Sequence, residues 1–162
     1  MSPFMRWIGR IRDDDRGSAL VEGALLTPFL CVLFFGVFEF SFFSYQQHLM
    51  TAGVADAARY VARSCNPTDA ATLTNAQNLA STGLISGGTN RVANWDPGEV
   101  TIAFTNVDNS AGTYRGPSVI RIVNVTGNFA YASLGFWGFF GFSTPSVSVT
   151  HSERYIGGTL GC

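Results

Sequence analysis

Lysine is absent from this chain of 162 residues, and charged residues of all kinds make up only 13% of it. Typical globular domains carry about 25%. Ten arginines and eleven acidic residues leave a net charge of -1, so the chain lacks the basic surface that nucleic-acid binding needs. The 18 glycines follow no three-residue period, which excludes collagen, and no solenoid-type repeat is present. We expect no nucleic-acid partner.

Residues that carry chemistry are also scarce. The two histidines, His48 and His151, fall in different predicted elements, and no metal-binding Cys or His spacing and no phosphate-binding glycine loop is found. Ser148, His151 and Glu153 lie close in sequence, but neighbours on a strand alternate between faces. We therefore expect no enzyme activity, no cofactor, no metal site and no small-molecule substrate.

Apolar residues are concentrated near the N-terminus. The segment from Ala19 to Phe43 contains only two charged residues, Glu22 and Glu39, and its length suits a transmembrane helix. Arginine precedes this segment at four positions and returns only well after it, which places the N-terminus in the cytoplasm. The alternative, an ordinary cleaved signal peptide, lacks a suitably placed small-residue cleavage site. The four arginines are Arg6, Arg10, Arg12 and Arg16.

Helical periodicity continues beyond the apolar segment, which predicts one helix from about Ser18 to about Ser64, ending at Asn66-Pro67. A second helix is expected over residues 69–82, with Thr68 as its cap and Gly83 as its stop. The buried face of the long helix is predicted to carry Phe43, Met50, Val54, Ala57 and Val61, and its wet face Gln46, Gln47, His48, Asp56, Arg59 and Arg63.

The second half of the chain has the alternating β-branched residues and turn residues of a sheet. Strands are predicted over residues 99–107, 118–125 and 146–155. The fold class is therefore α+β: a long transmembrane helix that extends into a small domain with a second helix and an antiparallel sheet of three or more strands. The expected division is a leader (1–17), a transmembrane helix (18–43), its extension (44–66) and a small domain (67–162).

The two carboxylates in the apolar segment carry the strongest functional signal, because acids inside a membrane helix are costly and usually serve a purpose. Cleavage between Gly17 and Ser18 would create an α-amino group four residues before Glu22, on the same helical face. The alternative is that Glu22 reaches water at the membrane surface. Glu39 either reaches water in the same way or contacts a neighbouring subunit, and Pro28 is expected to kink the helix.

Two further features lie outside the membrane segment. The aromatic run from Leu134 to Phe142 is read either as a loop that contacts lipid or a partner, or as a crossover folded into the core. Cys65 and Cys162 are a candidate disulfide, with free thiols or an intermolecular bridge as alternatives, and Cys31 is a packing residue. The aromatic residues of the run are Phe136, Trp137, Phe139, Phe140 and Phe142.

Residues 17–22 resemble the type IV prepilin signal, in which a dedicated peptidase cuts after the glycine and reads a glutamate five residues on. Three further blocks, residues 21–28, 36–40 and 57–63, resemble in order the TadE-like minor pseudopilins of the tight-adherence (Flp, type IVc) pilus system, and residues 152–154 resemble the end of that domain more loosely. The resemblance implies an inner-membrane precursor that a prepilin peptidase cuts after Gly17. It further implies assembly with a sister pseudopilin on the pilus assembly platform, in adhesion or secretion, with a periplasmic C-terminal domain.

A second function class remains open at this point. The chain would then be an uncleaved, single-pass membrane-anchored periplasmic module that contacts a partner or lipid through the aromatic run. The two classes predict different N-termini, since only the pseudopilin begins at Ser18.

Overall fold

The computed structural model describes residues 16–157 and has the predicted α+β fold. Two compact units divide the chain after Phe40. Helix α1, Arg16–Arg63, runs through both units, and it is followed by α2, Ala70–Thr82, and a 3₁₀ turn, Pro97–Glu99. The remaining elements are strand β1, Val100–Asp108, strand β2, Val119–Ala130, the single-turn helix α3, Phe136–Phe139, and strand β3, Ser146–Arg154.

The described part of the first unit is the apolar part of α1. This helix is long and apolar enough to cross a membrane, and none of its most apolar 18-residue window is buried. Pro28 lies inside the helix, and the hydroxyl of the preceding Thr27 donates a hydrogen bond to the carbonyl of Gly23 (2.6 Å). An exposed apolar surface of this length fits a membrane anchor better than the core helix of a soluble domain.

The second unit begins at Ser41 and has its own hydrophobic core. Along α1 the predicted buried face is confirmed at four of its five positions: Met50, Val54, Ala57 and Val61 are completely buried, and Phe43 is half-buried against the core. The prediction that Gln46 lies on the wet face is wrong, because this residue is only 3% exposed. Its position explains this, since residues four apart on a helix lie on one face and Gln46 precedes Met50 by four.

Helix α2 packs against α1 through small residues. Its N-cap is Asp69, so the prediction of Thr68 is wrong by one residue. The predicted stop is confirmed, because Gly83 has the left-handed conformation (φ 83°), which glycine adopts without steric cost. Ala76 and Ala80 are fully buried. At the crossing of the two helices a Cβ atom on Gly53 would collide with the carbonyl oxygen of Ala80.

The sheet is antiparallel, with strand order β1-β2-β3. Val123 pairs with Phe104 on one side and with Glu153 on the other. The second strand extends five residues beyond its predicted end at residue 125, because Thr126–Ala130 pair with Ser146–Thr150 of β3. Gly127 within this extension allows Trp95 to pack on the strand, since a Cβ there would lie 2.9 Å from the Trp95 ring.

The direction of β2 gives the second unit two distinct ends. Tyr131 directly follows β2, and its ring centroid lies 5.2 Å from that of Phe43 on α1. At the other end, Tyr155 follows β3, and its hydroxyl donates to the carbonyls of Ser64 (3.1 Å) and Cys65 (3.2 Å). We call the end at Tyr131 the near end, because α1 enters the unit there at residue 41. We call the end at Tyr155 the far end, because α1 ends there at residue 63.

Candidate functional site

The predicted cleavage site lies at the first turn of α1. Gly17, Ser18 and Glu22 all belong to one uninterrupted helix, so Ser18 and Glu22 lie one turn apart on the same face. All three residues are exposed. Glu22 forms no ion pair with any residue in the described part of the chain. The carboxylate is therefore accessible to a partner group, and in the uncut chain its helix already begins before the predicted cut.

Glu39 differs sharply from Glu22. Its side chain is only 3% exposed, whereas the apolar residues around it, such as Phe38 (54%) and Phe40 (70%), remain exposed. The Glu39 carboxylate does not extend into solvent. Its burial therefore does not match the alternative in which Glu39 reaches water at the membrane surface. Seventeen residues separate the two acids, which corresponds to about 25 Å along a helix with a rise of about 1.5 Å per residue.

The end of α1 is tied to the end of the chain. Cys65 is disulfide-bonded, whereas Cys31 is free and exposed. The predicted partner of Cys65 is Cys162, which lies outside the described residues, so this pairing stays a prediction. The amide of Ile156 donates to the carbonyl of Ala62 (2.8 Å), and a Cβ on Gly157 would collide with the carbonyl oxygen of Ser64. These contacts bring the chain close to Cys65 five residues before it ends.

The aromatic run forms a compact loop at the near end of the second unit. Its single helical turn, α3, is preceded by Gly135 in the left-handed region (φ 114°). Trp137 packs against the core, whereas Phe139 is 80% exposed and Phe142 64% exposed. One side of the loop therefore joins the core, and the other side presents exposed apolar surface, whereas contact with lipid or a partner stays a prediction.

The residues considered for catalysis do not form a site. His151 and Glu153 contact each other (Nε2 to Oε1, 3.2 Å), and Arg59 lies 3.6 Å from the same carboxylate oxygen. Ser148 is on the opposite face of β3, where it is exposed. Within residues 16–157 no group of His, Cys, Asp and Glu could hold a metal ion. Ion pairs this exposed contribute about 0–1 kcal/mol each to stability.

One feature was missed by the sequence reasoning. A groove of about 770 Å³ at the far end is lined by three arginines, Arg115, Arg121 and Arg154, and, among residues 16–157, by no carboxylate. The guanidinium of Arg121 lies between the rings of Phe104 (5.9 Å) and Tyr155 (6.0 Å). Strand pairing brings these arginines together from positions 39 residues apart. Their spacing in the sequence carries no signal of this, since the register of the sheet creates the cluster.

One comparison with known proteins covers the first two of the three TadE-like blocks described above and the start of the third. Residues 17–59, about a quarter of the chain, match the family model described as TadE-like protein. No curated protein and no solved structure matches the chain. The match begins at Gly17 and covers the exposed apolar part of α1 together with its extension to Arg59. The TadE-like resemblance is therefore confirmed for this segment.

Proposed function

We propose that this protein, TadE-like over residues 17–59, is a minor pseudopilin that takes part in assembly of a Flp/Tad type IV pilus. It would be made as an inner-membrane precursor with a cytoplasmic leader, and a prepilin peptidase would cut it between Gly17 and Ser18. The role is structural rather than catalytic. The observation that carries the proposal is the family match, which starts at the predicted cut and includes an exposed carboxylate five residues on.

The charge chemistry of the first turn supports the cut. Cleavage would leave an ammonium group on Ser18, one helical turn before Glu22. In the low dielectric of a membrane or helix bundle the attraction between these two charges is much stronger than in water. The pair can form within one chain or between neighbouring subunits, where it would set the register between helices.

The exposed apolar surface of the first unit supports assembly. None of the most apolar window of α1 is buried within the chain, so this surface requires lipid or other helices around it. Lipid would cover it in the membrane before assembly. Apolar helices of a sister pseudopilin and of other subunits would replace the lipid as the protein joins the assembly platform. The arginines before the segment would hold the leader in the cytoplasm, with the second unit in the periplasm.

Mass spectrometry of the protein purified from its native membrane tests the cleavage. We expect a mature chain that begins at Ser18, and a Gly17→Val variant that keeps its leader because a β-branched side chain replaces the small residue at the cut. The uncleaved anchored module predicts an N-terminus at or next to Met1 for both proteins. An intact leader on the unaltered protein in cells that form normal pili would contradict the pseudopilin proposal.

Removing the charge of Glu22 tests its role in assembly. Glu22→Gln keeps the size of the side chain, and we expect normal membrane insertion but loss of co-purification with the sister pseudopilin. Glu22→Asp keeps the charge and is the matched control, for which co-purification should largely survive. Equal co-purification of the Gln variant and the unaltered protein would show that the charge has no part in assembly.

A further inference from the structure

We infer that the aromatic loop, residues 134–142, inserts into the membrane leaflet that faces the second unit and thereby holds this unit against the lipid surface. The inference uses the membrane anchor of the proposed function, but it needs neither leader cleavage nor pilus assembly. Its occupant is lipid, not a partner protein and not a second copy of the chain.

The surface of the loop has the composition of a membrane-contact site. Every residue from Leu134 to Phe142 is apolar or glycine. Between Arg121 and His151 the chain carries no charged side chain at all. Four large apolar side chains of the loop are exposed, which is more than a small soluble surface normally presents in one place. These are Leu134 (61%), Phe139 (80%), Phe140 (42%) and Phe142 (64%).

Part of the loop backbone is hydrogen-bonded within the loop itself. The amide of Phe139 donates to the carbonyl of Gly135 (3.0 Å), that of Gly141 to Gly138 (3.1 Å), and that of Phe142 to Trp137 (2.9 Å). Backbone groups in lipid must be paired within the protein, because no water is available to them. The rings also pack on each other: Phe140 lies 4.9 Å from Phe136 and 5.2 Å from Phe139 between centroids.

The position of the loop identifies lipid as the occupant. Within the second unit, Tyr131 starts the connection that holds the loop, and its ring packs on Phe43. Phe43 is the last residue of the apolar segment predicted to cross the membrane, and α1 is continuous through it. The loop therefore lies at the end of the unit where the chain emerges from the bilayer. Aromatic side chains are enriched at this interface, and the neighbouring Tyr45 is 59% exposed.

The opposite end of the sheet has the contrasting chemistry expected of a surface in water. The turn between β1 and β2 is polar, and the backbone amide and hydroxyl of Ser110 donate to the Asp108 carboxylate, which lowers the pKa of Asp108. This turn is separated from the aromatic loop by the whole of β2, a 12-residue strand, or roughly 37 Å at about 3.4 Å per residue. The aromatic loop and the polar turn therefore lie at opposite ends of the sheet.

Spin labelling of the full chain in vesicles of phosphatidylethanolamine and phosphatidylglycerol tests the inference. In a Cys31→Ser background, the label is placed by Gly138→Cys, which leaves every aromatic side chain of the loop in place and where a Cβ meets no atom within 4 Å. The control label, Ala111→Cys, lies in the exposed β1–β2 turn. Collisions with oxygen, which partitions into lipid, are compared with collisions with a water-soluble nickel chelate.

We expect oxygen collisions to dominate at Gly138→Cys and nickel collisions to dominate at Ala111→Cys. Adding Phe139→Ser and Phe142→Ser should shift the loop label toward the nickel-dominated behaviour of the turn. The inference is overturned if the loop label is as accessible to nickel as the turn label. It is equally overturned if spin–spin broadening at the loop disappears on dilution with unlabelled protein, because a second copy then covers it. Both readouts are independent of the N-terminus, so an uncleaved leader would refute the proposed function without changing them.

Discussion

At the scale of single residues, close approach between backbones decides several positions. Gly53 lies where α1 crosses α2, and a Cβ there would collide with the Ala80 carbonyl oxygen and lie 3.2 Å from the Trp95 ring. The carbonyl belongs to a helix backbone and cannot rotate away as a side chain does. The small residues Ala76 and Ala80 on the facing side are completely buried, which leaves no free space to absorb the added volume.

We therefore expect Gly53→Ala to destabilise the second unit by about 2 kcal/mol, the usual cost of overpacking, even though alanine favours helix. Denaturant unfolding of the full chain in mild detergent measures the difference. Gly98→Ala is the control, since a Cβ there meets no atom within 4 Å and Gly98 has no positive φ. Equal stability of Gly53→Ala and the unaltered protein would mean that the two helices separate at little cost.

Single residues also mark where sequence reasoning is least exact. Gln46 is polar and would be expected on the surface, yet the period of the helix places it on the same face as Met50, one turn earlier. Its buried Oε1 has no hydrogen-bond partner among residues 16–157. Thr68 and Asp69 are both acceptable caps, and only the backbone conformation (Asp69 φ −68°, ψ 137°) distinguishes them. The prediction for Gln46 followed from the polarity of its side chain, whereas its burial follows from its position on the helix.

At the scale of elements, the helices were more predictable than the sheet. The long helix was expected over about 18–64 and spans 16–63, because its apolar run and periodicity are local signals. The predicted second strand ends too early, at residue 125, because the following segment contains Gly127 and Asn128, which are poor strand formers. Pairing with β3 and packing of Trp95 stabilise this extension, and both partners are distant in the sequence.

The outer face of the sheet shows what alternation alone does predict. Asn124 donates to the hydroxyl of Thr105 (2.8 Å) and accepts from Ser152 (2.7 Å), and the hydroxyls of Thr126 and Thr150 lie 2.9 Å apart. Asn124 and Thr126 alternate with buried Val123 and Val125 along β2. Their cross-strand pairs join all three strands on the solvent side. The sequence alternation identifies the face, whereas the partners follow only from the register.

At the scale of the whole second unit, the two ends of the sheet have opposite characters. The near end carries the aromatic loop, and the far end carries the three-arginine groove and the connection from β3 back to α1. The aromatic run was recognisable from composition, because it is continuous in the sequence. The arginine groove was not, since Arg115, Arg121 and Arg154 meet only after β2 and β3 pair.

The disulfide of Cys65 acts at this same scale, because a bridge to Cys162 would close a loop that contains almost the whole second unit beyond α1. In the chain-entropy model, a disulfide that closes a loop of about 100 residues raises the free energy of unfolding by up to roughly 4.7 kcal/mol, and measured bridges typically contribute about 2–4 kcal/mol. We expect the Cys162→Ser variant to be less stable by about 2–4 kcal/mol in denaturant unfolding, whereas Cys31→Ser, which alters an exposed free thiol, should change little. Non-reducing peptide mapping identifies the bridge directly. A bridge from Cys65 to a second chain, seen as a reducible dimer, would refute this intramolecular closure.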